Sequence, residues 1–216
     1  MNMGELHHLL FRWLHVMTAV LWIGHTWSLV FVQNVQQPKA DLWMRASGGV
    51  AWLFGLALLI FVYYAGGALT TPDQSWGMAL GVGIAVLLLP WLLYDALWTL
   101  LAQRPAAAAA ISLLLVGGIA QGLSEFMTGR AVFIHVGAML GSILLNNTNQ
   151  RPLRIVDNAV IAPAVMLFMI SNHFPLIYGS SRPWLAAPTV VGLGCLTGLS
   201  LRSLSMRRRS SAHGAK

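Results

Sequence analysis

The sequence predicts an all-α fold, a polytopic transmembrane bundle of about seven helices with the N-terminus outside and the C-terminus in the cytoplasm. Three observations predict it. Hydrophobic residues make up 57% of the 216 and charged residues 9%, against roughly 25% charged in a soluble domain. So few charges cannot cover a water-facing surface. Apolar runs near the ~20 residues needed to cross a bilayer recur along the whole chain. The charges that do occur gather in the breaks between runs and after the last one. This composition excludes a soluble enzyme, a disordered tail and a secreted disulfide scaffold. The lone Cys195 allows no internal disulfide, no CxxC metal site and no CxxCH haem attachment.

The first run, 9–33, follows MNMGELHH. It lacks a strongly basic leader and is long and Trp-rich, so a span is expected rather than a cleaved signal peptide. Gln36, Gln37, Pro38 and Lys39 end it. The second run, 49–69, stops at Thr71, Pro72 and Asp73. The third, 76–101, stops at Arg104 and Pro105. The fourth and fifth are 107–127 and 130–147, the fifth being the shortest. A polar link over 146–158 leads to the sixth, 159–178, and a break over 180–183 to the seventh, 184–202. No link is long enough to fold separately. Residues 1–203 therefore read as one transmembrane domain and 204–216 as a basic cytoplasmic tail.

Seven crossings put the termini on opposite sides, and charge selects the orientation. Lys39, Arg45, Arg104, Arg151, Arg154, Arg202, Arg207, Arg208, Arg209 and Lys216 fall on one side. Only Arg12, Arg130 and Arg182 fall on the other, which makes the first side cytoplasmic. The net charge of +7 is thus a topology signal and not a nucleic-acid footprint. The tail reads as a stop-transfer anchor, with anionic-lipid binding a minor addition. Gly137 and Gly141 form a GxxxG pair, and Gly192, Gly194 and Gly198 recur in the last run; both suit close helix packing. Trp13, Trp76, Trp98 and Trp184 read as interfacial anchors.

Polar side chains inside a bilayer are costly, so they mark where to look for function. His15, His135 and His173 lie about 8–9 Å from the outer ends of three predicted helices, and His25 lies deeper and off the His15 face. Three imidazoles at one level suit haem b, two of them as axial ligands inside an apolar bundle. Arg12 and Arg130, toward the outer ends of two of these helices, suit haem propionates, with interfacial snorkelling as the plain alternative. A three-imidazole copper or zinc site is the weaker option. A lone membrane histidine commonly just bonds a neighbouring helix, which is the expectation for His25. No P-loop, Rossmann glycine pattern or Ser/His/Asp constellation with credible context is present.

Three blocks carry a resemblance. Arg12-Trp-Leu-His15 with Leu21-Trp-Ile-Gly24, then the run from Gly129 through His135 to Gly141, then Met169-Ile-Ser-Asn-His173-Phe-Pro175 with Tyr178-Gly179 resemble, in order, the N-terminal transmembrane domain of bacterial membrane-bound urate oxidase (urate hydroxylase). The resemblance is to a short form, without the further helix and cytochrome c domain of full-length relatives. It implies a multi-pass protein of the bacterial inner membrane that acts as a redox subunit and passes electrons to a separate c-type cytochrome. Haem b near the periplasmic face would sit on two of His15, His135 and His173. The alternative is a non-catalytic scaffold or anchor subunit of a larger membrane complex.

Overall fold

The computed structural model describes residues 3–33, 40–150 and 152–214. Lys39, Arg151 and Lys216, counted above as cytoplasmic charges, and the predicted break over 36–39 lie outside the described residues, as do the side chains of Arg208 and Arg209. The described chain is helical and contains no strand. Helix α1, Met3–Trp27, runs on into a π turn, Ser28–Val32. Helix α2, Leu42–Leu59, does the same through Ile60–Tyr64. Helices α3, Trp76–Leu88, and α4, Pro90–Leu100, follow, then α5, Pro105–Ser124, and α6, Gly129–Gln150. Helix α7, Pro152–Ile170, ends in a 3-10 turn, Ser171–His173; the single turn α8, Pro175–Tyr178, precedes α9, Pro183–Gly214.

Six of these helices are long and apolar enough to cross a membrane, and α3 with α4 makes a seventh crossing if that bent pair is one span. The chain is a multi-pass membrane protein of helical architecture. The predicted single helix over 76–101 is bent by 41° between α3 and α4. Pro90 is the cause: as the first residue of α4 it has no N–H to give to the preceding turn.

Two boundaries move for local reasons. Helix α1 begins at Met3, six residues before the predicted run, because Glu5, His7 and His8 can be solvated in its first two turns. Helix α2 begins at Leu42 because the Asp41 side chain accepts the Met44 N–H at 2.8 Å and caps it. It stops near Tyr64, where Gly67 takes a left-handed φ of 73°.

The predicted polar link over 146–158 is almost wholly helical. Its polar side chains satisfy one another between α6 and α7. Asn147 Nδ2 donates to Asn158 Oδ1 at 3.0 Å, and Asn158 Nδ2 donates to the Leu144 carbonyl at 2.8 Å and to Thr148 Oγ1 at 3.0 Å. Trp22 Nε1 on α1 also donates to Thr148, at 3.2 Å. A fully paired set can be buried where a loop was read from polarity alone. Residues 204–214, expected as a tail, continue α9.

Helix α6 is the centre of the bundle: 72% of its best apolar window is buried, against 17% for α1 and 22% for α2 and α9. Of the predicted small-residue contacts, Gly137 meets Phe168 of α7, while nothing approaches Gly141. Gly194 and Gly198 of α9 meet the α7 backbone at Ala164 and Val160, leaving no room for a Cβ; Gly192 faces open space. So α7 and α9 approach through two glycines.

Candidate functional site

The central helix carries the one fully buried histidine among the described residues, His135. Its Nδ1 lies 2.7 Å from the Ala131 carbonyl, four residues back on α6. A carbonyl only accepts, so Nδ1 carries the proton. In the neutral ring Nε2 is then the acceptor, and it meets the Tyr64 hydroxyl of α2 at 2.8 Å. Gly83 of α3 closes the third side. A Cβ built there would run into the Tyr64 hydroxyl and lie 3.2 Å from His135 Nε2.

Around this pair the same end of the bundle gathers polar groups. Asn172 Nδ2, in the turn after α7, donates to the Tyr63 hydroxyl at 2.5 Å. Asn172 Oδ1 is buried without a hydrogen-bond partner among the described residues. Arg130 donates to the Tyr178 hydroxyl at 3.0 Å, with its guanidinium 4.5 Å from that ring's centre. Arg12, the other arginine singled out from the sequence, is exposed on α1.

The three histidines do not share one level. His15 Nδ1 lies 2.8 Å from the Ala51 carbonyl of α2, and its ring fills the notch at Gly55. His135 meets the same span at Tyr64, nine residues beyond Gly55, roughly 14 Å of helix rise away. The early start of α1 explains this, because His15 is twelve residues into the helix rather than six. His8, five residues from the start of α1, lies nearer that end, edge-on to Phe61 with ring centres 6.2 Å apart. His173 is exposed on the 3-10 turn that packs against α6. His25 pairs with Asp41, Nε2 to Oδ2 3.4 Å, far from this end. Among the described residues no group of three or more His, Cys, Asp or Glu side chains could hold a metal ion. A copper or zinc site on His15, His135 and His173 together is therefore not assembled.

For haem b the donor chemistry can be tested residue by residue. His135 has its Nδ1 anchored on a backbone carbonyl and an unprotonated Nε2, the chemistry a haem ligand needs, but that Nε2 is already engaged by the Tyr64 hydroxyl. His173 stands on a neighbouring element, whereas His15 stands at another depth. In the present packing the Tyr64 hydroxyl holds Nε2 and Gly83 leaves no spare room beside it.

Sequence reasoning missed Tyr63, Tyr64 and Asn172. The available signal was the Tyr-Tyr pair near the outer end of an apolar run, since a buried phenol needs a partner. A family model described as urate oxidase N-terminal matches residues 32–152, more than half of the chain. That span holds Tyr63, Tyr64, Arg130 and His135, while the blocks around His15 and His173 lie outside it. No curated protein and no solved structure matches the chain.

Proposed function

The chain belongs to the urate oxidase N-terminal family, and from that premise we propose that it is a membrane redox subunit working at the His135 end of the bundle. It passes electrons to a separate c-type cytochrome. The observation that carries this reading is the gathering of the Arg130–Tyr178 contact, the Tyr63–Asn172 bond with its unpartnered Asn172 Oδ1 and the Tyr64–His135 pair at one end of the helices. The Arg130 guanidinium there suits an acidic small molecule or a haem propionate. In the proposed orientation this end faces the periplasm of a bacterial inner membrane, within reach of a soluble cytochrome, and the C-terminus is cytoplasmic.

Haem b belongs to this reading: His135 and His173 would hold it, which requires the Tyr64 hydroxyl to release Nε2 and the Gly83 side to open. The group would supply one-electron storage between a substrate and the cytochrome. The protein's own part is to fix the His135 tautomer through Ala131 and to set positive charge beside Tyr178. An optical spectrum of the purified protein, oxidised and dithionite-reduced, tests this. A low-spin haem b spectrum supports it, and a colourless preparation removes the haem.

A second reading has its own supporting observation. Both nitrogens of His135 are satisfied by the protein itself, which is what a structural histidine in a non-catalytic anchor or scaffold subunit requires. A preparation that has no haem, shows no electron transfer to added cytochrome c and co-purifies with other membrane subunits would select it.

A further inference from the structure

The π turn that follows α2 places one side chain where it can open and close the buried imidazole of α6. We propose that Tyr64 is a gate on His135. Bonded to Nε2, its ring shuts that position; turned outward, it frees the nitrogen's lone pair for a ligand. The inference rests on the reading of the His135 end as the working site and concerns how that site is regulated. It does not require the ligand to be haem.

Two adjacent phenols leave this turn, and they are held differently. Tyr63 is 6% exposed and belongs to the core. Tyr64 is half-buried. Its hydroxyl bond of 2.8 Å and its edge-on ring contact, centres 5.7 Å apart, both go to His135. A ring so placed can change rotamer without moving the helix. Beyond it the chain offers little bulk to stop the swing. Ala65, Gly66, Gly67 and Ala68 are all exposed, and none carries more than a methyl group. Gly67 takes its left-handed turn here, at φ 73°. The loop is then pinned to the start of α6: the Ala68 carbonyl accepts from Thr128 Oγ1, and the Leu69 carbonyl from the Thr128 N–H, each at 2.9 Å. The backbone stays in place while the ring moves.

The far side of the gate is kept bare. A Cβ at Gly83 would run into the Tyr64 hydroxyl and lie 3.0 Å from Met127 Cε and 3.2 Å from His135 Nε2. When the ring leaves, the space it gives up is therefore bounded by Gly83 and Met127 and ends on Nε2. The nitrogen is ready in either position of the gate, because the Ala131 carbonyl holds the ring proton on Nδ1. The occupant is a ligand that takes an imidazole lone pair, and it competes with one phenol hydroxyl. Leaving a buried acceptor bare is costly, so the closed position dominates until a ligand arrives. Apparent affinity is lowered by the fraction of molecules in which the gate stands open.

Carbethoxylation by diethyl pyrocarbonate needs a free imidazole lone pair. Its rate at His135, read by peptide mass spectrometry on the haem-free full-length protein in nanodiscs, measures the open fraction. Slow modification is expected in the wild type, well below that of exposed His173. Tyr64→Phe removes the closing bond and keeps the ring, and should raise the His135 rate roughly five- to ten-fold. Tyr64→Ala should raise it further. Phe61→Leu, in the same turn but stacked on Phe11 of α1, should leave it unchanged. Modification at His15 in the same samples, together with thermal unfolding, separates opening of the gate from loss of the fold. Equal His135 rates in the wild type and folded Tyr64→Phe overturn the proposal. So does a wild-type rate at His135 that matches His173, or an equal acceleration in Phe61→Leu, which would mean that the whole turn moves. Haem added to the same proteins tests the underlying reading separately. Tighter haem binding in Tyr64→Phe supports both, whereas haem bound by none of them removes the haem and leaves the rates to decide the gate.

Discussion

The Tyr64 hydroxyl and His135 Nε2 meet at 2.8 Å where three helices touch, α2 giving the phenol, α6 the imidazole and α3 the bare backbone of Gly83. The Ala131 carbonyl fixes the ring from the other side. Because the ring is buried, each of these contacts has a measurable consequence.

Tyr64→Phe removes the donor to a buried acceptor and should cost about 1–2 kcal/mol of stability. Gly83→Ala should cost at least as much, since its methyl would meet both partners and neither helix can retreat without opening the centre of the bundle. Thermal unfolding in one detergent measures both. A wild-type melting curve for Gly83→Ala would show that the three-helix junction is not packed as described.

If haem b is bound, its low-spin spectrum should be lost or converted in His135→Ala and in His173→Ala. It should survive in His15→Ala, whose ring sits against Ala51 and Gly55 at another depth, and in His25→Ala. Loss of the spectrum in His15→Ala with retention in His173→Ala would refute this pairing. Stoichiometric copper in a haem-free preparation would redirect attention to metal binding.

The polar set between α6 and α7 should be among the least tolerant positions in the protein. Asn158→Leu leaves Asn147 Nδ2 without its acceptor and removes two bonds to Leu144 and Thr148. A loss of about 2–3 kcal/mol is expected. Nearby, Arg154 bonds Asp95 of α4 at 3.1 Å and pairs with Asp157 at 3.5 Å. Arg154→Ala should loosen α4 specifically, which cysteine accessibility at Thr99 and Leu100 would report.

The bend at Pro90 makes topology testable. A reporter fused after Lys216 should be active in the cytoplasm, and one placed in the loop at Asp73 should be active in the periplasm. If both report the same side, α3 and α4 enter and leave the membrane on one face and the crossings number six.

The sequence by itself determined the class of the molecule. The scarcity of charge, the spacing of apolar runs and the three motif blocks were enough for a helical multi-pass protein of this family, because a bilayer imposes length and hydropathy on each span independently of its neighbours. The sequence also singled out His15, His135, His173, Arg12 and Arg130 as candidates, since polar groups stand out against an apolar chain. What it could not determine was pairing. The depth of His15 depended on where α1 begins, and that depended on a solvated first turn rather than on periodicity. The link over 146–158 looked like a loop because its polarity was visible and its partners were not; only packing α6 on α7 satisfied Asn147, Thr148 and Asn158 from within. Tyr64, nine residues past the notch that holds His15, became His135's partner because the second span runs beside both helices. That is a relationship between helices, and hydropathy along one chain has no record of it.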